Sequence, residues 1–168
     1  MKKVVVLDTS ILCVWLQIPG KETCGPKGEW TYDKVKQKIE SEIESDSILV
    51  LPFASVIETG NHIAQAHGDR HRAVNAFADH IENAMNGNSP WATFGNQSQL
   101  LNDAPLKKLL SKWRQSAIAG QSIGDAMIVE VANFYSSYNV PVEIFTGDGG
   151  LKAYEPPFKP KIRPRRDK

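Results

Sequence analysis

The chain has 168 residues and a formal net charge of +1, with 41% hydrophobic and 23% charged residues, a balance that excludes a disordered or low-complexity polymer. A chain of this length buries enough apolar surface to fold without disulfides or a structural metal. Its two cysteines, Cys13 and Cys24, form no CxxC and suggest no disulfide framework, which sets the expectation of a reducing cytoplasm.

No apolar run is long enough to span a membrane, and Asp8 interrupts the N-terminal one too early for a secretion signal. The charge is uneven. Residues 159–168 hold six Lys or Arg and one Asp, so the tail carries about +5 and the rest about −4. The expected organisation is a body over residues 1–155 and a basic, proline-containing tail over 156–168. Such a tail attracts phosphates by counterion release or simply stays solvated.

Residues 3–7 (KVVVL) read as a strand buried on both faces. Asp8-Thr9-Ser10 supplies helix-capping groups, and the apolar residues 11–16 continue as a helix. Residues 19–30 read as a loop. Val35, Ile39 and Ile43, four apart, predict the inner face of a helix over 32–45. Residues 47–51 (SILVL) are a second strand, ended by Pro52, and 53–66 a helix weakened by Gly60. A helix over 70–85 places Val74, Phe77, Ala78 and Ile81 on one side. Residues 86–102, rich in Asn, Gly, Ser and Gln, read as a long loop, functional or mobile. Helices follow over about 103–118 and 122–138, then a strand over 140–145, a turn over 146–150 and a short helix before Pro156. Strands separated by helices imply an α/β fold with a parallel sheet covered on both faces, and ligands of such sheets sit outside the carboxyl ends of the strands.

Four acids fall at those ends. Asp8 follows the first strand, Glu58 lies in the helix after the second, Asp125 opens the helix before the last strand, and Asp148 follows that strand. Each alone suits a helix cap or a solvated helix face. Together, near apolar neighbours such as Ile123, Ala126, Met127 and Ile128, they are costly to bury as charges, and a hard divalent cation removes that cost. Oxygen-only ligands suit Mg²⁺ or Mn²⁺ and metal-assisted hydrolysis of phosphodiesters.

Four segments carry a resemblance to the PIN-domain nucleases, in particular the VapC-like toxins: residues 4–12 (VVVLDTSIL), 51–58 (LPFASVIE), 123–128 (IGDAMI) and 144–151 (IFTGDGGL). They occur in the family's order and span most of the body. The resemblance implies a three-layer α/β/α sandwich and Mg²⁺- or Mn²⁺-dependent endoribonuclease activity. It makes Asp8, Glu58, Asp125 and Asp148 the catalytic, metal-binding acids, with Ser10 and Thr146 as supporting polar residues. It also implies an RNA substrate, a small antitoxin protein as partner and a homodimer. Residues 19–30, 86–103 and the tail exceed the family's compact pattern, which separates the nuclease reading from the toxin reading.

Other readings compete. A haloacid dehalogenase-like phosphatase needs a second Asp two residues after the first, and that position is Ser10. A receiver domain needs an acidic pair that is missing. A non-catalytic PIN-like module binding RNA or protein remains open, although all four acids are present. Arg70, Arg72, Lys107 and Lys108 are candidate contacts to RNA phosphates, the last two beside Trp113 on a helix whose Leu106, Leu109 and Leu110 point inward. His62, His67, His71 and His80 read as surface histidines, and Trp30, Trp91 and Phe94 as loop anchors or interface residues.

Overall fold

The computed structural model describes residues 2–160; most of the basic tail expected at 156–168 lies outside the described residues. Three short strands, β1 (Val4–Leu7), β4 (Ile48–Val50) and β5 (Val142–Phe145), form a parallel sheet in the order β4-β1-β5. Val5 pairs with Leu49 on one side and with Glu143 on the other. The β-branched run of β1 takes the central place because all four of its side chains are buried there, which only a strand covered on both faces achieves.

Alternation splits the core in two. Val5, Leu7, Leu49, Leu51 and Phe145 face one side. They meet α1 (Thr9–Trp15), α2 (Tyr32–Glu44), the C-terminal half of α3 (Phe53–Gln65) and α4 (His71–Asn86). Val4, Val6, Val50, Val142 and Ile144 face the other, where α7 (Ile123–Ser136) contributes Ile128, Val131 and Ala132. Helices thus cover both faces of the sheet, as an all-parallel sheet requires. No helix among the described residues is long and apolar enough to cross a membrane.

Several elements differ from the sequence expectation. Residues 19–30 are not a plain loop. Thr23–Cys24 (β2) and Trp30–Thr31 (β3) pair antiparallel, and Trp30 sets its ring edge-on to Phe145 at 4.8 Å. Two-residue strands have no period to detect. Ile43 is 42% exposed and Glu42 is buried in its place, because Lys3 and Lys38 pair with the Glu42 carboxylate. The inner stripe of α4 runs through Ala73, Phe77 and Ala84, leaving Val74 exposed and turning Ala78 outward. Leu110 is likewise exposed on α6 (Asp103–Ser116), whose buried residue is Leu109.

The segment 86–102 is a strut along the sheet edge. Leu49 donates to the Pro90 carbonyl (2.8 Å) and Ala92 donates to the Leu49 carbonyl (2.9 Å), so the segment covers the free edge of β4. It then forms a short helix, α5 (Gly95–Ser98), which buries Gln97. The Gln97 amide donates to the Leu51 carbonyl (2.9 Å) and accepts from Phe53 N–H (3.3 Å), capping α3 from outside the helix. The opposite sheet edge is closed by side chains: Glu155 accepts from Ile144 N–H (2.8 Å) and Lys152 donates to the Ile144 carbonyl (3.1 Å). Here Lys152 belongs to α8 (Gly149–Lys152).

Candidate active site at the strand ends

Asp8 still belongs to the sheet through its N–H, which donates to the Phe145 carbonyl (3.1 Å), and it is also the N-cap of α1. That dual position buries it to 5% exposure. Its Oδ2 accepts from the Ser10 hydroxyl (2.6 Å), the Thr146 hydroxyl (2.7 Å) and, at 3.3 Å, Ser10 N–H. The two hydroxyls also accept from backbone: Thr146 Oγ1 from Asp148 N–H (2.9 Å) and Ser10 Oγ from Gly147 N–H (3.0 Å). The turn after β5 is thereby laced to the turn after β1 through one carboxylate oxygen and the Ser10 and Thr146 hydroxyls.

Glu58 comes from α3. The buried Ser55 donates to the Leu7 carbonyl (2.9 Å), which pins α3 to the end of β1 one turn before Glu58. Thr9 then donates to Glu58 Oε2 (2.9 Å). Asp148 caps α8, and its Oδ1 accepts from Gly150 N–H (2.7 Å) and, at 3.4 Å, Leu151 N–H. In all three acids the fold clamps one carboxylate oxygen: Oδ2 of Asp8, Oε2 of Glu58 and Oδ1 of Asp148. Among the described residues no hydrogen bond falls on the other oxygen of any of them.

Asp8, Glu58 and Asp148 line one cleft together with Lys21, Cys24 and His62. Asp125 does not line that cleft, but it stands within electrostatic reach. Burial pushes its carboxyl above the ordinary value, a hydrogen bond with Ser122 opposes this, and the charges of Asp8 and Asp148 push it further up. Gly124, immediately before it, lies against the Glu58 carboxylate. Three of the four acids expected from the sequence thus share one cleft near the carboxyl ends of β1 and β5, and Asp125 stands outside its lining.

Residues not foreseen share the cleft. Thr9 and His62 were within reach of sequence reasoning, since Thr9 adjoins Asp8 and His62 follows Glu58 by four residues on one helix face. Cys24 arrives through the pairing of β2 with β3, and Lys21 through the turn that follows α1. His62 is half-buried rather than a surface group, and so is His80, which stacks on Trp15 with ring centroids 4.3 Å apart. Burial pulls the His80 pKa down, opposed by the charge of Asp79. Trp91 stacks beside this pair, and Phe94 stacks on Phe53 at 4.8 Å, so these two aromatics anchor the strut.

Arg70, Arg72, Lys107 and Lys108 are all exposed and none lines the cleft. Arg70 donates to the Ala64 carbonyl (2.6 Å) and so finishes the end of α3. Both cysteines are free thiols, and burial pushes that of Cys13 up to about 12.

Among the described residues no three Asp, Glu, His or Cys side chains stand in a ligating array. The donor chemistry nonetheless suits a hard divalent cation: clustered carboxylates, each clamped by one oxygen, and a fourth whose ionisation is opposed by its neighbours. Compared with family models, with curated proteins and with solved structures, the chain matches none.

Proposed function

We propose that this chain is a PIN-like, Mg²⁺- or Mn²⁺-dependent endoribonuclease that hydrolyses RNA phosphodiester bonds at the Asp8–Glu58–Asp148 cleft, with Asp125 completing the acidic set. The observation that carries the reading is the gathering of these acids at the ends of two adjacent parallel strands. A divalent cation at such a site supplies a bound water of lowered pKa and positive charge for the leaving oxygen.

The chain's own part is to hold oxygen atoms still. Ser10 and Thr146 fix Asp8 on one side, Thr9 fixes Glu58, and two backbone N–H groups fix Asp148. Preorganisation of this kind removes the cost of arranging like charges at the moment of reaction. Asp125, half-buried beside like charges, is the acid whose charge most needs a cation.

The resemblance extends this reading to the toxin of a toxin–antitoxin pair, with a small antitoxin and a homodimer as partners; the support for that extension is the four short segments alone. The test of the nuclease is cleavage of mixed cellular RNA by purified protein with Mg²⁺, Mn²⁺ or EDTA, beside Asp8→Asn. Fragments that require the metal and disappear in the variant are the expected result. Fragments that persist in EDTA or in Asp8→Asn refute the assigned site.

A further inference from the structure

The cleft presents a problem for the substrate that the nuclease reading requires. It is walled by the carboxylates of Asp8, Glu58 and Asp148, which repel an incoming polyanion locally. Among the described residues lining the cleft, Lys21 is the one Lys or Arg. Four other lysines are committed elsewhere: Lys3 and Lys38 to Glu42 and Glu143, Lys152 to Glu155, and Lys112 to Glu130. Lys21 pairs with no carboxylate among the described residues.

The backbone of Lys21 is fixed relative to Asp8. Asp8 opens α1; at its far end Ile18, which is buried, donates to the Cys13 carbonyl (3.1 Å), and Lys21 N–H donates to the Ile18 carbonyl (2.9 Å). The side chain is exposed and long enough to turn over the cleft. Lys21, Asp8, Glu58 and Cys13 line the same cleft.

We propose that Lys21 is the positioning cation of this site: its ammonium receives a non-bridging phosphate oxygen of a single RNA strand and holds the strand over the acids. This rests on the nuclease reading. An ammonium serves here as a point charge, without the fork geometry that would fix a strand's orientation.

The test is binding of a short fluorescent single-stranded oligoribonucleotide to the full chain in EDTA, where no cleavage intervenes, across a series of salt concentrations. Each phosphate neutralised on a single strand contributes about 0.7 to the slope of log affinity against log salt. Lys21→Met is expected to reduce that slope by about 0.7, and Lys21→Arg to restore it, with unchanged thermal unfolding in both. An unchanged slope in Lys21→Met overturns the proposal and leaves the nuclease reading standing. A slope that falls in the Lys107→Met/Lys108→Met double variant instead places the strand over α6 and also overturns it. Absence of binding by the unaltered protein in EDTA overturns this proposal, while the nuclease reading is decided by the metal-dependent cleavage assay.

Discussion

The carboxylate of Glu58 lies so close to Gly124 that a single added carbon at Gly124 would strike its Oε1. The two residues come from α3 and α7, so a missing side chain on one helix makes the room in which an acid from the other stands. The backbone of Gly124 is ordinary, and an alanine there would be tolerated by the helix itself, which favours Ala over Gly by about 0.5–1 kcal/mol. Gly124→Ala is therefore expected to fold with a melting temperature equal to or above that of the parent. Cleavage should fall by about a hundredfold, because the displaced Glu58 oxygen leaves its working position. Parent-like turnover in a well-folded Gly124→Ala protein would remove Glu58 from the machinery.

Asp125 sets stability against function. Its folded pKa is raised above the ordinary 3.8 by burial and by the charges of Asp8 and Asp148, outweighing the Ser122 hydrogen bond. A carboxyl raised on folding stabilises the folded state at low pH, and that contribution is lost as pH rises through the folded pKa. At neutral pH without a cation, ionised Asp125 thus opposes folding. Asp125→Asn should melt higher than the parent in EDTA at pH 7, the gain vanishing toward pH 4, while cleavage is abolished. Mg²⁺ or Mn²⁺ should raise the parent's melting temperature by mass action and that of the variant less. Equal stability of the two proteins at pH 7 in EDTA would contradict the raised pKa.

The sheet strands were legible because an unbroken run such as Val4-Val5-Val6-Leu7 has one physical solution, burial on both faces. The convergence of Asp8, Glu58 and Asp148 on one cleft was legible because open parallel sheets present such residues at their strand ends. What sequence periodicity could not show is where a polar partner overrides the apolar stripe. The four-residue spacing of Val35, Ile39 and Ile43 points Ile43 inward, yet Glu42 goes in because Lys3 and Lys38 wait there. The polar character of residues 86–102 suggested a loose loop, yet Gln97 uses that polarity to cap α3 and Trp91 to cover a sheet edge. Cys24 reaches the cleft on a strand of two residues, too short to leave a pattern, and Lys21 on an irregular turn after α1.

The ionic group at the other end of the sheet makes a prediction of opposite sign. Burial pushes the Glu42 carboxyl up, but hydrogen bonds from the Lys3 and Lys38 ammonium groups and the Ser47 hydroxyl outweigh it and hold the pKa at about 2. A carboxyl depressed on folding contributes stability above its unfolded pKa, which is lost as pH falls through the folded one. The window therefore runs from the ordinary 4.5 down to about 2. Glu42→Gln should destabilise the protein at pH 7, since it leaves the part-buried Lys3 and Lys38 short of a partner. The deficit should shrink as pH falls through that window. Urea unfolding of both proteins at pH 7 and pH 3 decides it: a deficit that grows on acidification would show that Glu42 is not the group being protonated.

Cys24 offers a chemical route into the cleft. It is half-buried, and its sulfur packs over Gly147, where an added carbon would stand 2.7 Å from both that sulfur and Gly25 N. Gly147 sits between Thr146 and Asp148, so a bulky group on Cys24 meets the turn that presents two of the site's residues. Burial raises the thiol's pKa, opposed by a hydrogen bond with Ser10, so attack on a maleimide should be slow near neutral pH and quicken as pH rises. Cys13 is buried and raised to about 12, and it should stay unlabelled in the folded protein. One maleimide should therefore add at Cys24, and cleavage should fall in step with its addition. Cys24→Ser should take up no label in the folded state and keep its cleavage under the same treatment. Mass spectrometry of the labelled protein beside the RNA assay measures both. Full labelling of Cys24 with undiminished cleavage would place the substrate's path away from β2 and the turn after β5.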